Sequence, residues 1–193
     1  MRASVDVASE HARRPITVDE FDHLVNTGFF GPDERVDLID GVLVSHAPPH
    51  SPPHAGTTAC LTRVLGERLG RRVVLWAQLP VVLSDLTELE PDIALLVDRG
   101  HFYGERLPRV PDVHALVEVA YSSLSYDRGK KLRLYAESGI TEYWIVDVAK
   151  QRIHRYTDPV DRRYAGYRLA HRGEPISFEE FPDVVFTVDE LLG

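Results

Sequence analysis

The octapeptide Val113–Ala120, VHALVEVA, constrains this chain most: an almost unbroken apolar run that carries a single glutamate, Glu118. A short run rich in valine and leucine fits a strand covered on both faces, and Ile93–Val97 (IALLV) reads the same way. Strands covered on both faces lie in the protein interior. Moving a carboxylate into that interior raises its pKa unless a cation or strong hydrogen bonds hold the charge. Glu118 therefore needs a partner, and so does Asp92, which follows Pro91 at the head of the first run.

Lys131 is the natural partner. Residues 124–138 read as a helix closed by Gly139, and helical spacing puts Asp127, Lys131, Leu134, Tyr135 and Ser138 on one stripe facing the sheet. Tyr126, Lys130, Arg133 and Glu137 fall on another, which reads as solvated. Lysine is scarce here: only Lys130, Lys131 and Lys150 stand among 22 basic residues. An inward lysine in an arginine-rich chain suits chemistry that needs a compact ammonium beside a nucleophile or phosphate. Plainer readings stand beside this one. Pro-Asp is common turn punctuation, Glu118 could pair with an arginine, and Lys131 could make an ordinary i,i+4 pair with Asp127, worth roughly 0.3–0.5 kcal/mol. The three residues together, in this order, favour a site. Asp92 and Glu118, with the Val119 carbonyl as a further oxygen, form a donor set for Mg²⁺ or Mn²⁺, and Lys131 is placed to orient or polarise an attacking water.

The order PD, then E on the next core strand, then a lysine displaced onto the following helix resembles the PD-(D/E)xK nuclease superfamily. More closely, the chain resembles the Uma-two family of bacterial restriction endonucleases. The matching stretches are TVDEFDHL (17–24), VDLIDGVLV (36–44), SPPHAG (51–56), QLPVVLSDLTELEPDIALL (78–96) and LVEVAYSSLSYDRGKKLRLYAESGITEYWIVD (116–147). The resemblance implies an α/β (α+β), restriction-endonuclease-like fold over residues 15–193, a single domain with a central mixed sheet flanked by helices; it also implies catalytic roles for Asp92, Glu118 and Lys131, nucleic acid, foremost DNA, as substrate, and a homodimer. It also puts Gln78 and His54 at positions lining the same cleft. The chain departs from the pattern at Ala120, where the lysine of E-x-K would stand, and at Asp37, where the family shows glutamate; Asp37 is not counted as a ligand.

Length and composition agree with one globular domain: 193 residues, 44% hydrophobic. The single Cys60 excludes an internal disulfide and reads as a packing residue. No apolar run is long enough to span a membrane and nothing resembles a signal peptide, so a cytoplasmic address is expected. The net charge of −8 argues against a nucleic-acid enzyme, but it is unevenly spread. Residues 1–41 hold nine acids and four bases, residues 174–193 six acids and no bases, and the middle 18 bases against 15 acids. Every candidate site residue lies in that middle.

The remaining expectations are local. Residues 1–14 are polar and read as a flexible segment; Thr17 caps a short helix through a Thr17/Glu20 capping box; residues 36–44 read as a hairpin turning at Asp40-Gly41. His46, His50 and His54 are spaced as helical metal ligands would be, but the intervening prolines make a loop of 46–54, followed by a helix over 54–70. Three strands then follow residue 141, with turns at Asp158-Pro159 and around Asp161, and the tail closes on a short helix. Tyr143 and Trp144 read as core packing residues, and Arg99 to Pro111 as a surface loop. Two function classes remain open: a metal-dependent phosphodiesterase, with RNA or another phosphodiester as the alternative substrate, and a catalytically silent or regulatory module whose acidic surface meets a protein partner.

Overall fold

The computed structural model describes residues 14–31, 34–46, 51–100 and 102–193. The N-terminal segment up to residue 13 and His50 lie outside the described residues, and of His46 only the backbone is described. Thr17 caps α1 (Val18–Asn26) as expected: its Oγ1 accepts the Glu20 amide at 3.3 Å, and the Glu20 carboxylate accepts the Thr17 amide at 3.0 Å. Strands β1 (Arg35–Ile39) and β2 (Val42–His46) form the hairpin, with Asp40 and Gly41 both at positive φ, 52° and 75°, as a type I′ turn demands. Gly41 is further constrained by close approach, since a Cβ there would collide with Pro15.

Helix α2 (Pro52–Leu69) starts two residues before the expected position. Pro52 and Pro53 occupy its first turn, where an amide would have no intrahelical acceptor, and His54 is therefore helical and not part of a loop. Strands β3 (Val73–Ala77), β6 (Ile93–Val97), β7 (Val113–Ala120), β8 (Glu142–Asp147), β9 (Arg152–Val160) and β10 (Arg163–His171) make the main sheet, in the order β10-β9-β8-β7-β6-β3. Only β7 and β8 are parallel. A parallel pair needs a crossover, and residues 124–138 supply it as one helical run: α3 (Leu124–Tyr126), a wide π-turn (Asp127–Lys131) and α4 (Leu132–Ser138), ended by Gly139 at φ 85°. The expected turn at Asp158-Pro159 is absent. Strand β9 outruns its last pair with β8 at Thr157, so Pro159 needs no amide on that side, and the chain turns at Asp161-Arg162, where the second turn was expected.

Strands β6, β7 and β8 of the main sheet are buried on both faces, which explains their near-continuous apolar sequences, whereas β10 at the edge is largely exposed. One face carries α2 and α5 (Val188–Leu192) around Leu61, Leu65, Val117 and Trp144, whose ring stacks on Phe178 at 3.9 Å. The other carries α4 and a second, antiparallel sheet in the order β2-β1-β5-β4, where β4 is Val81–Ser84 and β5 is Thr87–Leu89, around Leu96, Leu116, Tyr135 and Tyr143. The central mixed sheet flanked by helices is as the family resemblance implies. No helix among the described residues is long and apolar enough to cross a membrane.

One core residue opposes the fold. Glu88 on β5 is buried beside the apolar cluster under α1, and its Oε2 has no hydrogen-bond partner among the described residues. Burial first, then repulsion from Asp22, Glu90 and Asp37, pushes its carboxyl up to about 8. The native state therefore retains a proton that the unfolded chain releases near 4.5, and stability is undiminished below that pH and falls as pH rises toward about 8. Glu88→Gln should raise the melting temperature at pH 8.5 by roughly 5 °C, on the order of 2 kcal/mol, and leave it almost unchanged at pH 5; an equal shift at both values would show that Glu88 is not titrating. Gly41→Ala should cost about 2 kcal/mol in chemical denaturation, through the positive φ and the collision with Pro15.

Candidate active site

Alternation along the two central strands decides which side chains meet. On β7, Ala115, Val117 and Val119 turn toward α2, so Glu118 faces α4. On β6, Ile93 pairs with Val117, and continuing that register brings Asp92 alongside Glu118 on the same face. The helical run 124–138 crosses over this point. Its inward stripe brings Lys131 Nζ to 2.6 Å and the Tyr135 hydroxyl to 2.8 Å from Glu118 Oε1. Asp127, which might have paired with Lys131 one helical turn away, instead accepts the Ser123 hydroxyl at 2.5 Å.

The wide turn at Asp127–Lys131 adjusts this fit. The Leu132 amide reaches back five residues to the Asp127 carbonyl, which also accepts the Tyr143 hydroxyl at 3.3 Å. One extra residue per turn rotates everything before it, so Tyr126 lines the cleft beside Asp127 and is not on the solvated stripe where regular spacing put it.

Asp92 is held differently. Its Oδ2 accepts the Val119 amide at 2.7 Å, and His54 Nε2, from the first turn of α2, lies 3.1 and 3.2 Å from its two oxygens. Burial works to raise the Asp92 pKa, but the hydrogen bonds from His54 and Val119 and the charges of His54 and Lys131 outweigh it, leaving the carboxyl below its ordinary value. Glu118 goes the other way. Burial dominates, neighbouring Asp92 and Asp127 add to it, and Lys131 only partly compensates, so its pKa lies above the ordinary carboxylate value. Burial also acts to lower the Lys131 pKa, yet attraction to Glu118 and Asp127 raises it, and the ammonium stays charged. Asp127 is raised by burial, with Lys131 and Ser123 opposing.

These groups line a cleft enclosing about 140 Å³, together with Arg35, Asp37 and Glu90. Five carboxyl groups (Asp37, Glu90, Asp92, Glu118, Asp127) thus face two cations, Arg35 and Lys131. Such an excess of hard oxygen donors suits a hard divalent cation. Among the described residues no three His, Cys, Asp or Glu side chains are gathered tightly enough to hold a metal unaided. Mg²⁺ seldom asks for that, since it keeps several waters and takes one or two carboxylates.

The structure brings Asp92, Glu118, Lys131 and His54 together. Gln78 does not line this cleft: it sits at φ 51° with its amide on the Asp92 carbonyl at 3.0 Å, and its side chain borders a separate groove on the other side of His54. Asp37, Tyr126 and Tyr135 are cleft or support residues that the sequence reading did not assign. Asp37 had a signal, because alternation in VDLI puts it on the same side as buried Ile39. Lys131→Met should cost about 3 kcal/mol in urea denaturation by leaving Glu118 buried without its cation, and adding Glu118→Gln should recover most of that loss. Additive costs in the double variant would show that the two groups are not coupled.

Three comparisons bear on this geometry. A crystal structure of "a putative nuclease belonging to DUF820" from Anabaena variabilis ATCC 29413 superposes with a TM-score of 0.68 at 16% identity, covering 92% of this chain and 98% of that one. The type IIG restriction endonuclease BpuSI aligns at 13% identity with a TM-score of 0.41, over 72% of this chain and 15% of that one. No curated protein matches. The model of the Uma2 family, described as "Putative restriction endonuclease", matches residues 18–189, nearly the whole chain, and the protein therefore belongs to the Uma2 family.

Proposed function

We propose that this chain is a divalent-metal-dependent endonuclease that hydrolyses phosphodiester bonds in DNA, with Asp92, Glu118 and the Val119 carbonyl holding the cation and Lys131 serving the attacking water. The observation that carries this reading is the charge imbalance of the cleft: five carboxyl groups against Arg35, Lys131 and the single imidazole of His54, closed around a buried lysine. An anionic phosphodiester is repelled by such a cleft until a cation enters it. When bound, Mg²⁺ or Mn²⁺ supplies Lewis acidity toward water and toward the phosphoryl oxygens.

The chain's own residues do the positioning. Val119 and His54 fix the Asp92 carboxylate and keep it ionised, ready as a ligand. Tyr135 and Lys131 both bind Glu118 Oε1, which leaves Oε2 without a hydrogen bond among the described residues. Lys131, a charged three-donor group, holds a water by the N–H bonds not given to Glu118 and stabilises negative charge on the attacked phosphate. An arginine there would present a planar fork where a compact charge is needed.

Calorimetric titration of Mn²⁺ into the purified protein should show stoichiometric binding that is lost in Asp92→Asn. Incubation with plasmid DNA should show nicking that stops with a chelator and falls on the order of 10³-fold in Asp92→Asn and Lys131→Ala, while both variants keep the native circular dichroism spectrum. Normal cleavage by Lys131→Ala would remove the lysine from the chemistry. Binding without nicking would point to RNA or another phosphodiester, and no binding at all to a silent module.

A further inference from the structure

Next to this cleft, across Arg35, Asp37 and Glu90, which border both, lies a larger recess of about 540 Å³ between α1 and the small sheet. One part of its wall is apolar, with Phe21 and Phe30, ring centroids 5.8 Å apart, beside Val25, Val36 and Leu107; the rest is acidic, with Asp22, Glu34, Asp37, Glu88 and Glu90 against the one cation Arg35. Glu88, only 5% exposed, lines the same recess, and its Oε2 finds no hydrogen-bond partner among the described residues. Asp22 on α1 is the next carboxyl, close enough to raise Glu88 electrostatically. A carboxyl buried on an apolar wall and left unpaired reduces stability, so the fold gives no reason for it to be there.

The chemistry that would satisfy Glu88 is narrow. A hydrated divalent cation needs about six oxygen ligands, and among the described residues no three of these carboxyls are gathered to hold one; it would also leave the phenylalanine wall unused. A phosphate or carboxylate ligand would be repelled by Asp22, Glu34, Asp37 and Glu90 around the recess. An organic cation meets every feature at once: its charge pairs with the carboxylate, its face or edge lies against the phenylalanine rings, and its stem fills the apolar part. We propose that this recess binds a primary ammonium or guanidinium group on a short aliphatic stem, with Glu88 as counter-ion and Phe21 and Phe30 as wall. The assignment does not rest on the nuclease reading, because Asp92, Glu118 and Lys131 do not line the recess.

Thermal denaturation and calorimetry of the full chain with agmatine and with cadaverine, using MgCl₂ as a control, test this directly. Either amine should raise the melting temperature saturably by several degrees and bind stoichiometrically. Glu88→Gln, nearly isosteric with the protonated acid, should fold and lose at least tenfold in affinity, Phe30→Leu should lose severalfold, and Asp92→Asn should bind as the parent does. Absence of a saturable response to both amines, equal affinity in Glu88→Gln, or displacement of the amine by equimolar Mg²⁺ would overturn the proposal. Loss of amine binding in Asp92→Asn would also overturn it, by placing the amine in the neighbouring cleft. Plasmid nicking by Glu88→Gln separates the two readings, since that variant keeps its catalytic residues whether or not it binds amines.

Discussion

The contact on which the rest of this structure depends is the pairing of Glu118 with Lys131, two groups at 2.6 Å that the fold has removed from water. Glu118 lies on the central strand of the sheet, and Lys131 on the crossover that the parallel β7–β8 pair requires. The same segment therefore satisfies a topological need and an electrostatic one. Its position is fixed at both: Tyr135 ties the helix to Glu118, Tyr143 ties the strand beneath to the Asp127 carbonyl, and the two tyrosine rings meet edge to face at 4.9 Å. A pair of this kind is a poor source of stability, because desolvating two charges consumes most of what their attraction returns, and apolar residues of similar volume would do as well. Its presence in an otherwise apolar layer therefore favours chemistry over packing as the reason for it.

Much of the frame was legible because it follows from short-range rules. Apolar runs bounded by turn residues gave β6 and β7 to the residue, the Thr17/Glu20 box gave the start of α1, and Asp40-Gly41 gave the hairpin. Where those rules were read too literally, the chain differed. Proline argues against helix before His54, yet prolines are tolerated at the first helical turn, and Asp158-Pro159 reads as a turn, yet proline is tolerated where a strand outruns its neighbour.

The site was legible only in part, for a different reason. Glu118, Lys131 and Asp92 stood out because charge is costly inside apolar runs, a local argument that the geometry of the cleft agrees with. Tyr126 was misplaced because a π-turn has no sequence signature, and an assumed period of 3.6 drifts by one position across it. Asp37 and Glu90 enter the cleft because the small sheet folds over the large one, a long-range consequence of topology that no window of sequence contains. Gln78 shows the converse. It was read as a side chain aimed at the cleft, whereas the structure uses its backbone, in a left-handed conformation, to hold the residue that bears the carboxylate.

Two carboxylates on one face of a sheet have been driven in opposite directions by what surrounds them. Asp92 receives donors, an amide and an imidazole, and stays anionic despite burial; Glu118 receives a lysine but sits among other acids, and burial prevails. A divided pair of this kind gives identical functional groups different surroundings: one carboxylate held ionised by donors, the other bound to the lysine whose charge it shares. Under the proposed function, the acidity of the chain is no obstacle to a polyanionic substrate. The negative charge is concentrated in the terminal segments and in this cleft, and the cleft is where a divalent cation would reverse its sign, so attraction for phosphate would arise at the reacting bond without a broad basic surface.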